Sequence, residues 1–416
     1  MAKASKDSRR FRSLYGHGFV RVAACAPVVV AADPAANCEA ILAFARAADK
    51  EKAAILLTPE LALCGYAIDD LLLQDALNDA VEAGLARLKD ASEKLFPALV
   101  VGAPLLVGGA LYNCAVVIRG GRVLGVAVKS FLPNYREYYE KRHFAAACDA
   151  PERTICLLGE EVPFGADLVF AADDVRGFAF HAEICEDFWA PTPPSTMAAL
   201  AGATVLLNLS ASNVLIGKAE DRKVLCDSQS RRCAAAYVFA AAGRGESTTD
   251  LAWDGQIVAY EMGEKIAEGE RFTRDPRLVI ADIDIDRLAQ ERRRLSSFRD
   301  AIGRNKDTIA RFRRVPFTLD ASSGALELQR AIDRFPFVPD DAARRDQDCY
   351  EAYNIQVSGL VRRLEATGAK RVVIGVSGGL DSTHALIVAA RSFDVLGLPR
   401  QNIIGVTMPG FATGEA

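Results

Sequence analysis

The chain has 416 residues, half of them hydrophobic and a quarter charged, a balance that excludes a disordered or fibrous protein and leaves length for two or three cores. Its formal net charge of −4, with both signs mixed, gives no basic field to hold nucleic acid or an anionic membrane, and no apolar run is long enough to span a bilayer. Ten cysteines without a CxxC pair, and an N-terminus (MAKASKDSRRFRSLYGHG) lacking a signal-peptide apolar core, point to a reducing cytoplasm; Arg9, Arg10 and Arg12 read as a solvated tail rather than a transit peptide.

From residue 19 to about 285, short β-branched runs alternate with longer helical stretches, the pattern of an α/β or layered α+β domain. Strands are predicted at 20–30, 53–57, 98–101, 112–118, 122–128, 177–184, 204–208, 237–241, 256–261 and 277–283. Gly120 and Gly121 between two alternating runs mark a hairpin turn, since glycine takes positive φ without penalty. Residues 286–345 carry a charge-rich helix at 290–297 and then FRRVPF, SSG and FPFVPDD, which read as a linker. A second domain follows, with helices at 350–366 and 383–392, a stop at Gly368, and strands at 371–376 and 402–408.

Three strands run straight into reactive side chains: AILLTPE into Glu60, VLGVAVK into Lys129 and FAFHAEIC into Cys185. If these strands lie side by side, an acid, a cation and a thiol converge, a set sufficient for acyl transfer. A free thiol is only a few per cent ionised at neutral pH, so attack on an amide needs a base, and Glu60 can accept its proton. Lys129 can hold the charge that develops on the carbonyl oxygen. A thiol activated in this way, with a low pKa, would alkylate ahead of the other nine cysteines. Taken singly, Cys185 would be a small buried hydrophobe and Glu60 and Lys129 surface charges; the ordered occurrence of three contexts favours chemistry. His181, four residues before Cys185 on a strand, sits about 13 Å along it, too far for a Cys-His dyad, and no histidine spacing fits a metal in this domain.

The segments TPELALCGY, KSFLPNYREYYEKRHF and ICEDFW resemble the signature segments of the nitrilase superfamily, in its NAD synthetase glutaminase branch, over residues 15 to 285. The resemblance implies an αββα layered sandwich with Glu60 as general base, Lys129 as oxyanion-stabilising lysine and Cys185 as nucleophile, aided by the backbone N–H that follows it. It also implies Glu137 as a second glutamate that supports the lysine, Tyr135, Ser212 and Lys218 as glutamine-holding residues, and no cofactor for this domain.

In RVVIGVSGGLDSTHAL a strand enters a glycine turn and then a helix, an arrangement that offers inward backbone N–H groups and a helix N-terminus to a phosphate chain. No lysine follows as in a Walker A loop, and two glycines alone could merely make a tight turn. The SGGxDS pattern resembles the loop of ATP pyrophosphatases, with a Rossmann-like parallel sheet. That resemblance implies ATP contacts from Gly375, Val376, Ser377, Gly378, Gly379, Leu380, Asp381 and Ser382, with Asp381 near a magnesium ion and Thr407 with MPG at the crevice mouth. Domains are therefore expected at 1–285 (glutaminase), 286–345 (linker) and 346–416 (the opening part of a synthetase domain). About 35 residues follow the loop, so a truncated domain unable to complete NAD synthesis is expected. The pair of motifs implies ligation of ammonia from glutamine to deamido-NAD with ATP, in a homo-oligomer, an octamer by resemblance. A free-standing amidase or a silent binding module are the competing readings.

Overall fold

The structure, a computed structural model, describes residues 12–248, 251–275, 277–321, 324–332 and 334–407; Arg9, Arg10, the serines of the SSG turn and the MPG segment lie outside them. The chain divides into two units, Met1–Arg330 and Ala331–Ala416.

In chain order the strands of the first unit are β1 (Phe19–Cys25), β2 (Ile55–Leu57), β3 (Ala98–Val107), β4 (Ala110–Arg119), β5 (Arg122–Val128), β6 (Thr154–Leu157), β7 (Glu160–Pro163), β8 (Leu168–Ala172), β9 (Ala179–Ile184), β10 (Val205–Ser210), β11 (Ala236–Ala241), β12 (Ile257–Glu261), β13 (Glu264–Glu268), β14 (Leu278–Asp284) and β15 (Arg313–Phe317). Six form one sheet in the order β14-β1-β2-β3-β4-β5, and seven form another in the order β13-β12-β11-β10-β9-β8-β15. The near-continuous apolar runs are explained by burial on both faces. One face of each sheet supplies the central core, where Val20, Val22, Ile55, Leu57, Val117 and Ile283 meet Phe170, Phe180, Leu207 and Val238. The other face of the first sheet packs against helices Pro34–Lys50 and Asp75–Ser92, through Ile41, Leu42, Leu85 and Leu88. The other face of the second packs against helices Pro194–Leu200 and Lys218–Arg232, through Ala198, Ala199 and Cys226. This is the αββα sandwich that the resemblance implied.

Two expectations are corrected. Strands β2, β5 and β9 do not lie side by side: β2 and β5 are separated by β3 and β4, and β9 belongs to the facing sheet. Residues 286–330 are not linker. They form helices Ile285–Arg294 and Ser296–Arg304, and β15, which pairs in parallel with β8. Ile285, Leu288, Val315, Phe317 and Leu319 are buried in the central core, so proline and charge disguise a segment whose apolar positions close the sandwich. The hairpin at Gly120 and Gly121 is present, between β4 and β5.

The second unit has a helix Ala342–Thr367, begun by the Asp341 side chain accepting from Arg344 N (2.8 Å) and ended at Gly368 in the left-handed region (φ 66°). Strands β16 (Val372–Gly375) and β17 (Ile403–Val406) are parallel and joined through helix Leu380–Leu396. This is one strand-helix-strand unit, with Val388, Ala389 and Phe393 buried. No helix among the described residues is long and apolar enough to cross a membrane.

Candidate active site

Glu60 follows β2 in a turn that lies directly on the sheet. The sheet permits this because β3 carries Gly102, where a Cβ would sit 2.3 Å from Pro59 O and 2.4 Å from Leu61 N. Lys129 is the first residue past β5 and Cys185 the first past β9. The chain turns sharply at Cys185, whose φ of 44° is left-handed, a conformation that costs an L-residue roughly 1–2 kcal/mol. Asp187 holds this elbow: Oδ2 accepts from Ile184 N (3.0 Å), and Oδ1 from Ser130 N (2.9 Å) and Phe131 N (2.8 Å). One buried carboxylate thus ties the end of β9 to the segment just after Lys129, and the facing sheets present their strand ends together.

Lys129 is fully buried, and its Nζ donates to Glu60 Oε1 (2.6 Å) and Glu140 Oε1 (2.7 Å). Burial alone would lower the lysine's pKa, but Glu140 and Glu60 outweigh it and hold the ammonium firmly charged. Asn113 Nδ2 also donates to Glu60 Oε1 (2.7 Å), and Ala211 N donates to Oε2 (2.6 Å). Tyr66 Oη donates to Glu140 Oε1 (2.8 Å). Glu60, Lys129 and Glu140 all act electrostatically on the Cys185 sulfur.

Two sequence expectations change here. The glutamate that supports Lys129 is Glu140, not Glu137. The loop from Lys129 to Glu140 passes through Arg136 at φ 51°, and the Glu140 amide donates to Pro133 O (3.1 Å), which turns Glu140 inward. Glu137 faces the cleft instead, where its Oε1 accepts from Asn213 Nδ2 (2.9 Å). Nor does Cys185 have a low pKa at rest: burial pushes the thiol well up, Glu60 adds to this, and Lys129 opposes it. The sulfur rests protonated beside its acceptor, so a thiolate must be made by proton transfer rather than stored.

Cys185 lines an open cleft of about 220 Å³ with Tyr135, Glu137, Tyr138, Glu186, Trp189, Ser212 and Lys218 among its walls. All three residues expected at the far end of a substrate are therefore there. Tyr135 is half-exposed and donates to Glu186 Oε1 (2.8 Å). Lys218 Nζ donates to Asn213 Oδ1 (2.6 Å) and Tyr138 Oη (3.2 Å), and lies over the rings of Tyr138 and Trp189. Tyr138 Oη donates to Asn213 Oδ1 (2.6 Å). Asn213, Tyr138 and Trp189 were not singled out in the sequence; Asn213 lies one residue after Ser212, and periodicity says nothing inside such a loop. His181 is buried with Nδ1 against Leu168 O (2.8 Å), and burial lowers its pKa to about 4, so it stays neutral in the core.

Three comparisons bear on this geometry. A profile of carbon–nitrogen hydrolases matches residues 20–293, well over half the chain. The chain belongs to the carbon–nitrogen hydrolase family. A profile of NAD synthase matches residues 352–416. The chain is 55% identical over 405 residues to the glutamine-dependent NAD(+) synthetase of Mycobacterium tuberculosis strain H37Rv, covering 97% of this chain and 60% of that one. It thus spans about 60% of the length of such relatives. Among solved structures it resembles the glutamine-dependent NAD+ synthetase of Acinetobacter baumannii in complex with ADP (TM-score 0.54, 23% identity, 95% of this chain and 61% of the other). It also resembles a nitrilase-superfamily amidase from Nesterenkonia AN1 (TM-score 0.51, 21% identity, 69% and 97%). At these identities the two structures support the fold alone.

This carbon–nitrogen hydrolase fold carries a further buried acid outside the Glu60–Lys129–Glu140 cluster. Glu183, on β9, accepts from Ser195 N (2.8 Å) and Tyr237 Oη, and burial raises its pKa from 4.5 to about 7. Because the folded value is the higher one, its contribution to stability is complete below pH 4.5 and is lost as pH rises to 7. Glu183→Gln should remove that loss. The free energy of unfolding of the variant relative to the parent should climb by on the order of 3 kcal/mol between pH 4.5 and pH 8. Urea titrations that stay parallel across this range would contradict the assignment.

Proposed function

We propose that the first unit hydrolyses the side-chain amide of glutamine and that the protein is a glutamine-dependent NAD synthetase. The observation that carries the first part is the buried Glu60–Lys129–Glu140 cluster set against Cys185 at the floor of a cleft whose far wall is polar. Glu60 accepts the thiol proton as the sulfur attacks the amide carbon, and Lys129 stabilises the resulting oxyanion together with the backbone N–H of Glu186. The proton on Glu60 then goes to the departing nitrogen, the C–N bond breaks, and ammonia leaves a glutamyl thioester. Water, deprotonated by Glu60, cleaves the thioester to glutamate and restores the thiol. Glu140 holds the ammonium of Lys129 in place. Tyr135, Ser212 and Lys218 receive the α-amino and α-carboxylate groups, with Glu137 as the acidic partner for the amino group.

In the second unit the segment Gly375, Val376, Ser377, Gly378, Gly379, Leu380, Asp381 and Ser382 is assigned to ATP. Its local structure fits a phosphate chain. Gly378 takes φ 81°, no atom lies within 4 Å of where its Cβ would be, and helix Leu380–Leu396 begins at Gly379 without a side-chain cap, leaving its first amides free for an anion. Asp381 in that first turn is the acidic group suited to magnesium, which would neutralise phosphate charge when bound. The NAD synthase profile that matches residues 352–416 supports the nucleotide. On this reading ammonia from the first site displaces AMP from adenylylated deamido-NAD, in a cytoplasmic homo-oligomer.

The test is ammonia release from a panel of amides. Glutamine should exceed butyramide, which has the same acyl chain without the α groups, by at least about 100-fold in kcat/KM, the worth of one or two charge-assisted hydrogen bonds. Equal rates would favour a general amidase, and no release from any amide a silent module.

A further inference from the structure

Behind the far wall of the cleft lies a fully buried arginine that touches no open space. Arg222 comes from helix Lys218–Arg232, one turn after Lys218, and its side chain is wholly enclosed. A buried guanidinium must find acceptors for five N–H groups. Here it does so. Nε donates to Ser212 Oγ (3.2 Å), and Nη2 to Ser212 O (2.8 Å) and Asn213 O (2.7 Å). Nη1 donates to Asp254 Oδ2 (2.9 Å) and Oδ1 (3.1 Å) and to Gln256 Oε1 (3.0 Å). Asp254 is itself buried and pairs with Arg222 and, through Oδ2, with Arg271 Nη1 (3.2 Å) as well.

We infer that Arg222, held by Asp254, is a positioning residue that sets the selectivity of the cleft for a substrate bearing an α-carboxylate. It rests on the reading of the cleft as a glutamine site. Two effects follow from the bonds above. First, by occupying a lone pair of the Ser212 hydroxyl, Arg222 Nε leaves that hydroxyl free to donate to a substrate carboxylate from the cleft wall. Second, by gripping both carbonyls it fixes the Ser212–Asn213 peptide, and Asn213 in turn carries the bonds to Lys218, Tyr138 and Glu137. One helix thereby governs both ends of the recognition loop: Lys218 takes the Asn213 side chain, and Arg222 its backbone. Lysine has the charge of arginine but a single nitrogen, so it cannot span these acceptors.

The experiment compares glutamine and butyramide in the parent and in Arg222→Lys, Asp254→Asn, Ser212→Ala and the S212A/R222K pair, with thermal midpoints recorded. For R222K, KM for glutamine should rise about 10- to 100-fold with kcat within about threefold, while kcat/KM for butyramide stays within about threefold. D254N should shift the same way by less, and adding R222K to S212A should bring much less than the sum of the two effects. A merely structural arginine would lower both substrates alike. Equal losses on the two amides, unchanged selectivity, additive effects in the pair, or failure of both R222K and D254N to fold would each overturn the inference. A parent with no preference for glutamine would instead overturn the glutamine reading.

Discussion

Lys129→Met should leave a protein that is both less stable and catalytically silent, and the two losses should depend on pH in a linked way. The ammonium is the only cation bonded to Glu60 and Glu140 among the described residues, and all three groups are buried. Removing it strands two carboxylates around one vacated position, where breaking a buried pair typically costs about 3–5 kcal/mol. The two acids then hold a proton between them at neutral pH, which takes Glu60 out of service as a base. Glutamine hydrolysis should fall at least about 10³-fold. Burial raises the Glu140 pKa from 4.5 to about 7 even with the ammonium opposing it, and losing the ammonium raises it further, so the stability deficit against the parent should be largest near pH 8 and shrink towards pH 5 as a proton is taken up. Urea unfolding at the two pH values checks this. A deficit that does not change with pH, or a variant retaining more than about 1% of activity, would contradict the charge arrangement.

Cys185→Ala should leave stability nearly unchanged and abolish turnover just as Lys129→Met does. The side chain lost is small and its sulfur rests neutral, so the unfolding free energy should change by no more than about 1 kcal/mol. Ammonia release should drop at least about 10⁴-fold, as when a nucleophile is removed from a site whose members act as a unit. Mass spectrometry of an acid-quenched reaction should show a glutamyl adduct on the parent and none on the variant. An adduct on another of the ten cysteines would relocate the nucleophile.

The sequence showed the reactive trio because each member stands at a strand end within a distinctive local context. It could not show that the strands come from facing sheets, because strand order is decided by long-range pairing that leaves no local trace. Glu137 and Glu140 sit three residues apart in a loop without helical or strand period, so only the turn through Arg136 decides which one faces the lysine. The neutral resting thiol was equally hidden, since it depends on enclosure among residues far apart in the chain, Glu60, Lys129, Glu140 and Ala211 among them. β15 escaped notice because RRVPF carries two arginines and a proline, yet Val315 and Phe317 point into the core while the strand occupies a sheet edge, where proline is tolerated. The glycine turn before helix Leu380–Leu396 and the stop at Gly368 were legible because a few consecutive residues define them.

That edge strand moves the seam of the molecule. Recombining the hydrolase part with other partners at residue 285 would strip the sandwich of β15 and bare the flank of β8, a ready template for unwanted pairing. It would also leave one buried N–H of Arg21 without its acceptor, since Nη2 reaches forward to Glu327 O (2.7 Å) while the remaining bonds go to Asp282 and to Glu51 O. The natural joint lies after Arg330, so any chimera among these enzymes must carry the intervening 45 or so residues with the sheet they complete.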